Sequence, residues 1–223
     1  MSEMIRFDQV SLFYDTGISL RNLDLSVQKD EFIYLFGPSG AGKSSILALM
    51  YMEMIPNAGS ISVFDLETTR MKRKLVSRLR KRIGKMFQEP KLLPDRDIYA
   101  NLALPLEISG YASKLTKQKV HQKADEMDLR SRLNHFPHEL SGGEKQRVAL
   151  AQASIHAPEL ILVDEPTAHL DDESSAKIID ALWKLHESGV SIVFATHNEM
   201  ILQKDPARTI TLEKGEIIDD RPR

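Results

Sequence analysis

Phe32-Ile33-Tyr34-Leu35-Phe36-Gly37-Pro38-Ser39-Gly40-Ala41-Gly42-Lys43-Ser44 is the stretch that decides the fold. Five apolar residues in succession suit a short strand buried on both faces, and the run breaks at Gly37. From Gly37 to Ser44 the chain matches G-x-x-x-x-G-K-[ST], and an apolar helix, roughly Lys43 to Met54, is expected to follow. A strand, a glycine-rich turn and a helix start make the setting that phosphate binding needs. Glycines let the backbone wrap closely, and backbone N–H groups and the helix N-terminus face the anion. Lys43 adds charge near the β- and γ-phosphates, and Ser44 offers a hydroxyl to Mg²⁺. Gly37, Pro38, Ser39, Gly40, Ala41, Gly42, Lys43, Ser44 and the adjoining Ser45 are therefore the expected nucleotide-phosphate site.

Working outward, Leu160-Ile161-Leu162-Val163-Asp164-Glu165 reads as a second buried strand, ending in two carboxylates. At the carboxyl end of a strand both acids can reach a ligand crevice. Asp164 suits the acid that holds Mg²⁺, and Glu165 the group that orients or deprotonates an attacking water. Ser191 to Ala195 is a third buried strand, and between the last two Ala176 to Glu187 has helical spacing through Ile178, Ile179, Leu182 and Leu185. Strand–helix–strand alternation implies an α/β fold with a mostly parallel sheet flanked by helices. The first thirty residues alternate instead, through Ile5, Phe7 and later Leu23, Leu25 and Val27, as antiparallel strands do. The middle, about Ile98 to Asn134, is rich in Lys, Gln, Glu and Leu and reads as an inserted helical subdomain, approximately 95–140. With no repeat and no linker-like stretch, residues 1–223 are expected to form one domain.

Composition narrows the chemistry. The chain has 223 residues and no Cys, which excludes disulfides, thiolate zinc sites, iron–sulfur clusters and a Cys nucleophile. Lys and Arg number 30 against 32 Asp and Glu, a balance unlike that of proteins built to neutralise a phosphate backbone, so no nucleic acid is expected. Met1 to Arg6 carries an early acid and no apolar run of signal-peptide length, so a cytoplasmic chain is expected. The longest apolar stretch, Ile46 to Ile55, contains Glu53 and falls short of the ~20 residues that span a bilayer.

Leu140-Ser141-Gly142-Gly143-Glu144-Lys145-Gln146 is a second glycine-bearing turn before an apolar helix. With it the sequence resembles the ATP-binding cassette (ABC) ATPases, whose signature reads LSGGQ-like at this place, and the resemblance covers essentially the whole chain. It implies a Mg²⁺-dependent ATPase and a head-to-tail homodimer that sandwiches two ATP molecules. Residue by residue, it implies that Tyr14 stacks on adenine and that Gln88 senses Mg²⁺ and the attacking water. It implies that Ser141, Gly142 and Gly143 meet the γ-phosphate held by the opposite subunit. Asp171 becomes the acid of the loop Ala168-His169-Leu170-Asp171, and His197 the histidine that contacts the γ-phosphate. Two positions depart from the usual pattern, His169 for a small or amide residue and Lys145 for Gln; His169 is read as a tolerated polar loop residue.

Within the family, the absence of coiled-coil inserts, zinc-binding cysteines and a second cassette leaves a stand-alone cassette that powers a separate integral membrane protein. The run Leu92-Leu93-Pro94-Asp95-Arg96-Asp97-Ile98-Tyr99-Ala100-Asn101-Leu102-Ala103-Leu104-Pro105-Leu106 is similar to that of the cell-division branch. Lipoprotein-release and MacB-like efflux cassettes, the alternative, share its flanks but usually lack the Asp95-Arg96 pair. Asp97 departs from the Thr usual in that branch. The resemblance implies a peripheral protein on the cytoplasmic face of the inner membrane. Leu92, Leu93, Pro94 and Tyr99, apolar in an expected exposed loop, are the expected docking surface for the membrane partner. Arg70 to Arg82 holds eight Lys or Arg in thirteen residues, with Leu75, Leu79 and Ile83 at helical spacing. It reads as a solvated basic helix face, with anionic lipid headgroups or nucleic acid as the functional alternatives.

Overall fold

The computed structural model describes residues 2–14, 17–69, 71–204 and 206–222; Arg70 of the basic stretch lies outside them. Two long strands, β1 (Glu3–Tyr14) and β2 (Gly17–Gln28), pair antiparallel, as their alternation requires. β3 (Phe32–Phe36) leads through the glycine-rich loop into α1 (Lys43–Met50), and β4 (Ala58–Val63) and β5 (Leu66–Glu67) return to the first sheet. α2 (Arg73–Arg80) and β6 (Ile83–Met86) follow. The helical insert then holds α3 (Ile98–Ile108), α4 (Ser113–Glu126) and two short 3-10 turns, and ends where α5 (Gly142–Ser154) begins. β7 (Leu160–Asp164), α6 (Asp172–Glu187), β8 (Ser191–Thr196), α7 (Glu199–Lys204), β9 (Arg208–Glu213) and β10 (Glu216–Arg221) complete the chain.

The four-stranded sheet runs β2-β1-β4-β5 and the six-stranded sheet β10-β9-β3-β8-β7-β6. In the larger sheet every pairing is parallel except β10 with β9. Period-two alternation gives this sheet two cores. Ile33, Leu35, Leu160, Leu162, Val193 and Ala195 face α1 and the antiparallel sheet. Phe32, Tyr34, Ile161, Val163, Ile192 and Phe194 face the other way, against Leu102 and Leu106 of α3, Val148 of α5 and Ile178 and Leu182 of α6. Each fully buried aliphatic side chain stabilises the fold by roughly 1.5–3 kcal/mol. Because β3, β7 and β8 run parallel, their carboxyl ends share one edge, where the motifs sit.

Several boundaries differ from expectation for reasons distant in sequence. α1 stops at Met50, not Met54: Met52 takes a left-handed φ of 58°. The guanidinium of Arg80 donates to the carbonyls of Tyr51 (3.0 Å) and Met52 (2.9 Å), satisfying the helix end from α2. Arg80 is thus a structural residue and not part of a solvated face, while Arg82, its side chain 40% exposed, pairs with Glu159 and stacks 3.6 Å over Phe64. Ile83 does not continue the α2 spacing; it opens β6 and is buried against β7. α6 begins at Asp172, ahead of its expected start, because Asp171 caps it through the Ser174 N–H at 2.8 Å.

Two side chains organise the insert. Asp97 accepts the Ala100 N–H at 2.7 Å as N-cap of α3, a task Thr also performs, which explains the departure at this position. Asn101, fully buried, receives the Leu93 N–H and donates to the carbonyls of Leu93, Arg96 and Asp97, so it pins the loop before the helix. Pro105 inside α3 has no N–H for the Asn101 carbonyl; Gln152 of α5 donates to that carbonyl instead, at 2.8 Å.

Candidate functional site

Gly42 sets the geometry of the phosphate loop. Its φ of 106° is unfavourable for other residues, and a Cβ there would lie 2.6 Å from Leu20 Cδ2. It is also the N-cap of α1, with no side-chain cap and no acid in the first turn, so the first N–H groups of the helix are left to an incoming anion. Ser39, Gly40, Gly42, Lys43, Ser44 and Ser45 line a cleft of ≈460 Å³ together with Tyr14, Ser19, Gln88, Glu165 and His197. Gly37, Pro38 and Ala41 shape the loop from its far side, against β9.

At the floor of the cleft three charged or titratable side chains meet. Lys43 is only 5% exposed; its Nζ donates to the carbonyls of Gly37 (2.7 Å) and Pro38 (3.1 Å) and lies 3.2 Å from Glu165 Oε1. The other oxygen of Glu165, Oε2, is 2.9 Å from His197 Nδ1. Glu165 is 8% exposed and holds a left-handed φ of 45°, while its N–H donates to the Ala195 carbonyl of β8. A glutamate in that conformation is strained, and neighbouring strands and both partners hold it there.

Asp164 stands behind Ser44. Burial pushes its carboxyl above the ordinary value, while the Ser44 hydroxyl beside it works in the opposite direction. Its Oδ1 is buried with no hydrogen-bond partner among the described residues. A desolvated carboxylate oxygen beside a serine hydroxyl fits a hard divalent cation such as Mg²⁺, which takes oxygen ligands and restores what burial removes. Gln88 lines the same cleft, and its backbone carbonyl accepts from Gln146 of α5 at 2.9 Å.

Tyr14 is exposed at the cleft mouth, its hydroxyl 3.1 Å from Ser45 Oγ and 3.3 Å from Met54 Sδ. Ser45 Oγ is in turn 3.1 Å from Ser19 Oγ. Ser19 is a cleft residue that the sequence reading passed over, since a lone serine early in β2 carries no motif.

Ser141, Gly142, Gly143 and Asp171 do not line the cleft of their own chain. Ser141 and Glu144 form a reciprocal capping box at the start of α5, and Arg132 holds Glu144 at 2.7 Å. The Ser141 backbone N–H, with Arg132 behind it, brings the Glu144 carboxyl down to about 2. Gly143 packs on the start of α6, where a Cβ would come 2.6 Å from Ser174 Oγ. His169 is exposed with a φ of 66°, a region that Asn, Asp and His enter more readily than other non-glycine residues, so a polar loop histidine is tolerated there. Leu92 and Tyr99 pack partly on the second core, Leu93 is half-buried and Pro94 is exposed, so the loop divides its apolar surface between the fold and its outer face.

Residues 20–168 match the family described as ABC transporter. The chain belongs to the ABC transporter family and is one of its ATPase cassettes. It is 39% identical over 208 residues to the cell division ATP-binding protein FtsE of Streptococcus pneumoniae, covering 93% of this chain and 90% of that one. Against FtsE of Escherichia coli the identity is 38% over 215 residues, covering 96% and 97%. A solved dimeric ATP-binding cassette in a post-hydrolysis state, bound to ADP and Pi, superposes with a TM-score of 0.90 at 30% identity over 98% of each chain.

Proposed function

We propose that the chain, as a single nucleotide-binding domain, is the ATP-hydrolysing subunit of a bacterial cell-division complex whose other subunit is an integral membrane protein of the FtsX type. No helix among the described residues is long and apolar enough to cross a membrane. In this reading the chain works from the cytoplasmic face of the inner membrane, moving its partner and activating cell-wall hydrolases beyond it. Similarity to FtsE along nearly the full length of both chains supports this branch over lipoprotein release or efflux.

The observation that carries the chemistry is Glu165 suspended between Lys43 and His197 at the shared edge of β3, β7 and β8. Tyr14 stacks on the adenine of ATP, and the free N–H groups of the loop and of α1 receive the phosphates. Lys43 neutralises charge that develops on the β- and γ-phosphate oxygens. A water oxygen bonds to the γ-phosphorus as the bond to the bridging oxygen breaks, releasing ADP, and Glu165 orients that water and draws its proton. His197, on the opposite carboxylate oxygen, fixes the orientation of Glu165 and reaches the γ-phosphate. Ser44, Asp164 and Gln88 hold Mg²⁺, which offsets phosphate charge when bound. Ser141, Gly142, Gly143 and Asp171 complete the site of a second copy, giving a head-to-tail homodimer with two ATP molecules at its interface.

A groove of ≈680 Å³ between the end of α1, α2 and α3, with Ile55 and Ile108 at its rim 65% and 69% exposed and Arg73 and Lys81 in its wall, is a second surface open to the membrane partner. The test is capture by tagged Glu165→Gln chain, loaded with ATP, from solubilised native membranes. Recovery of an FtsX-type protein supports the reading, whereas recovery of a lipoprotein-release or efflux permease overturns its cell-division part.

A further inference from the structure

The eight cations of the basic stretch do not share one role. Arg80 and Arg82 are fixed by hydrogen bonds, whereas Lys72, Arg73, Lys74, Arg78 and Lys81 are exposed and have no ion-pair or hydrogen-bond partner among the described residues. Stability does not account for them. Lys72 is the N-cap of α2 and makes no side-chain cap, and Arg73 and Lys74 occupy a first turn that contains no acid. A helix start favours Asp, Glu or a capping hydroxyl, so these cations stand against the helix dipole. The charge is also segregated. Taking the eight cations of the stretch from the 30 Lys and Arg leaves 22 against 32 acids in the rest of the chain.

We propose that α2 and its flanking lysines form a contact surface for anionic lipid headgroups. The five side chains spread round the exposed circumference of a short helix, and nothing fixes them into the fork that a defined acidic peptide demands. Headgroups that diffuse laterally reorganise beneath such a surface, each cation contributing separately. No aromatic side chain interleaves the stretch for base stacking, which disfavours single-stranded nucleic acid. The acidic remainder of the chain is screened beyond about 8 Å at physiological ionic strength, so it does not cancel a local basic face.

The inference goes beyond the cell-division reading and needs no membrane protein for its test. Purified full-length chain is floated with vesicles of phosphatidylcholine alone, and of phosphatidylcholine with phosphatidylglycerol in equal parts, at low and high salt. Binding is expected only to the anionic vesicles and is lost at high salt. Neutralisation weakens it by about fivefold per cation, in Lys72→Gln/Arg73→Gln/Lys74→Gln and in Arg78→Gln/Lys81→Gln, with ATPase activity and thermal stability retained. Lys114→Gln/Lys117→Gln on α4 removes the same kind of charge elsewhere and leaves binding intact. Equal binding to neutral vesicles, no binding at all, or equal weakening by the α4 variant overturns the proposal. So does tighter binding to duplex DNA or to an acidic peptide that the α2 variants abolish while vesicle binding persists. None of these failures touches the partner-capture result, since the vesicles contain no protein.

Discussion

Two glycine-bearing turns open onto helices in this chain, and their first turns are wired in opposite ways. α1 starts at a capless Gly42 with no acid nearby, so its N–H groups remain free. α5 starts at Ser141 inside a capping box whose acid, Glu144, is neutralised by Arg132. The open start lies in the cleft with Lys43; the closed one lies outside the cleft of its own chain. Sequence grammar alone makes the two look alike. What separates them is whether the first turn carries its own side-chain cap or leaves its donors for a ligand: the first is open to an anion within a single chain, while the second is capped by its own side chains and presents Ser141 and Gly142 outward, with Gly143 packed on α6.

The largest effects should fall on the open start. Lys43→Ala is expected to weaken ATP binding at least about a hundredfold by titration calorimetry, since it removes the buried cation that lines the phosphate-loop cleft. Unchanged affinity would mean that loop N–H groups suffice. On the closed start, Ser141→Ala should leave ATP binding by the monomer intact and lower hydrolysis about tenfold to a hundredfold. If binding falls as well, the two starts act within one chain and the comparison breaks.

Asp164 sharpens the contrast through stability. Its folded carboxyl is raised by burial, so the folded protein binds that proton more tightly than the unfolded chain and loses stability as pH rises from the ordinary carboxylate value through the raised one. At neutral pH, Asp164→Asn should therefore raise the Tm of the protein alone by about 2–4 °C and abolish the further rise that ATP with Mg²⁺ gives.

Glu144 has the opposite sign. Held at about 2 against an ordinary 4.5, chiefly by the Ser141 N–H, it contributes stability present above 4.5 and lost as pH falls towards 2. Glu144→Gln should flatten that acid decline and lower the neutral-pH Tm by about 2–4 °C. The smallest effect belongs to Asp97→Thr, expected within about 0.5 kcal/mol of wild type in urea unfolding because either residue caps α3.

How much of this was legible depends on where each constraint originates. Phosphate binding demands particular residue types at fixed spacing, so Gly37 to Ser44, Asp164-Glu165 and the turn at Ser141 stand out in the sequence, as do the buried strands with their continuous apolar runs. The end of α1 does not, because Arg80 satisfies it from about thirty residues away. β6 escaped notice because Ile83-Gly84-Lys85-Met86 is short and follows a helical spacing that runs straight into Ile83. β9 and β10 form a half-polar edge hairpin, where alternation is blurred by Arg208, Glu213, Asp219 and Asp220. In the cleft, the contact of Glu165 with both Lys43 and His197 is a product of strand register, which the motifs imply but do not specify.

The two glutamines of α5 have a mechanical consequence. Gln146 holds the Gln88 carbonyl and Gln152 the Asn101 carbonyl, so the ends of the intervening segment are fastened to one helix at points about 9 Å apart along its axis, at 1.5 Å rise per residue. Both ends of that segment are therefore tied by hydrogen bonds to the helix whose first turn carries Ser141, so a displacement of either end bears on α5.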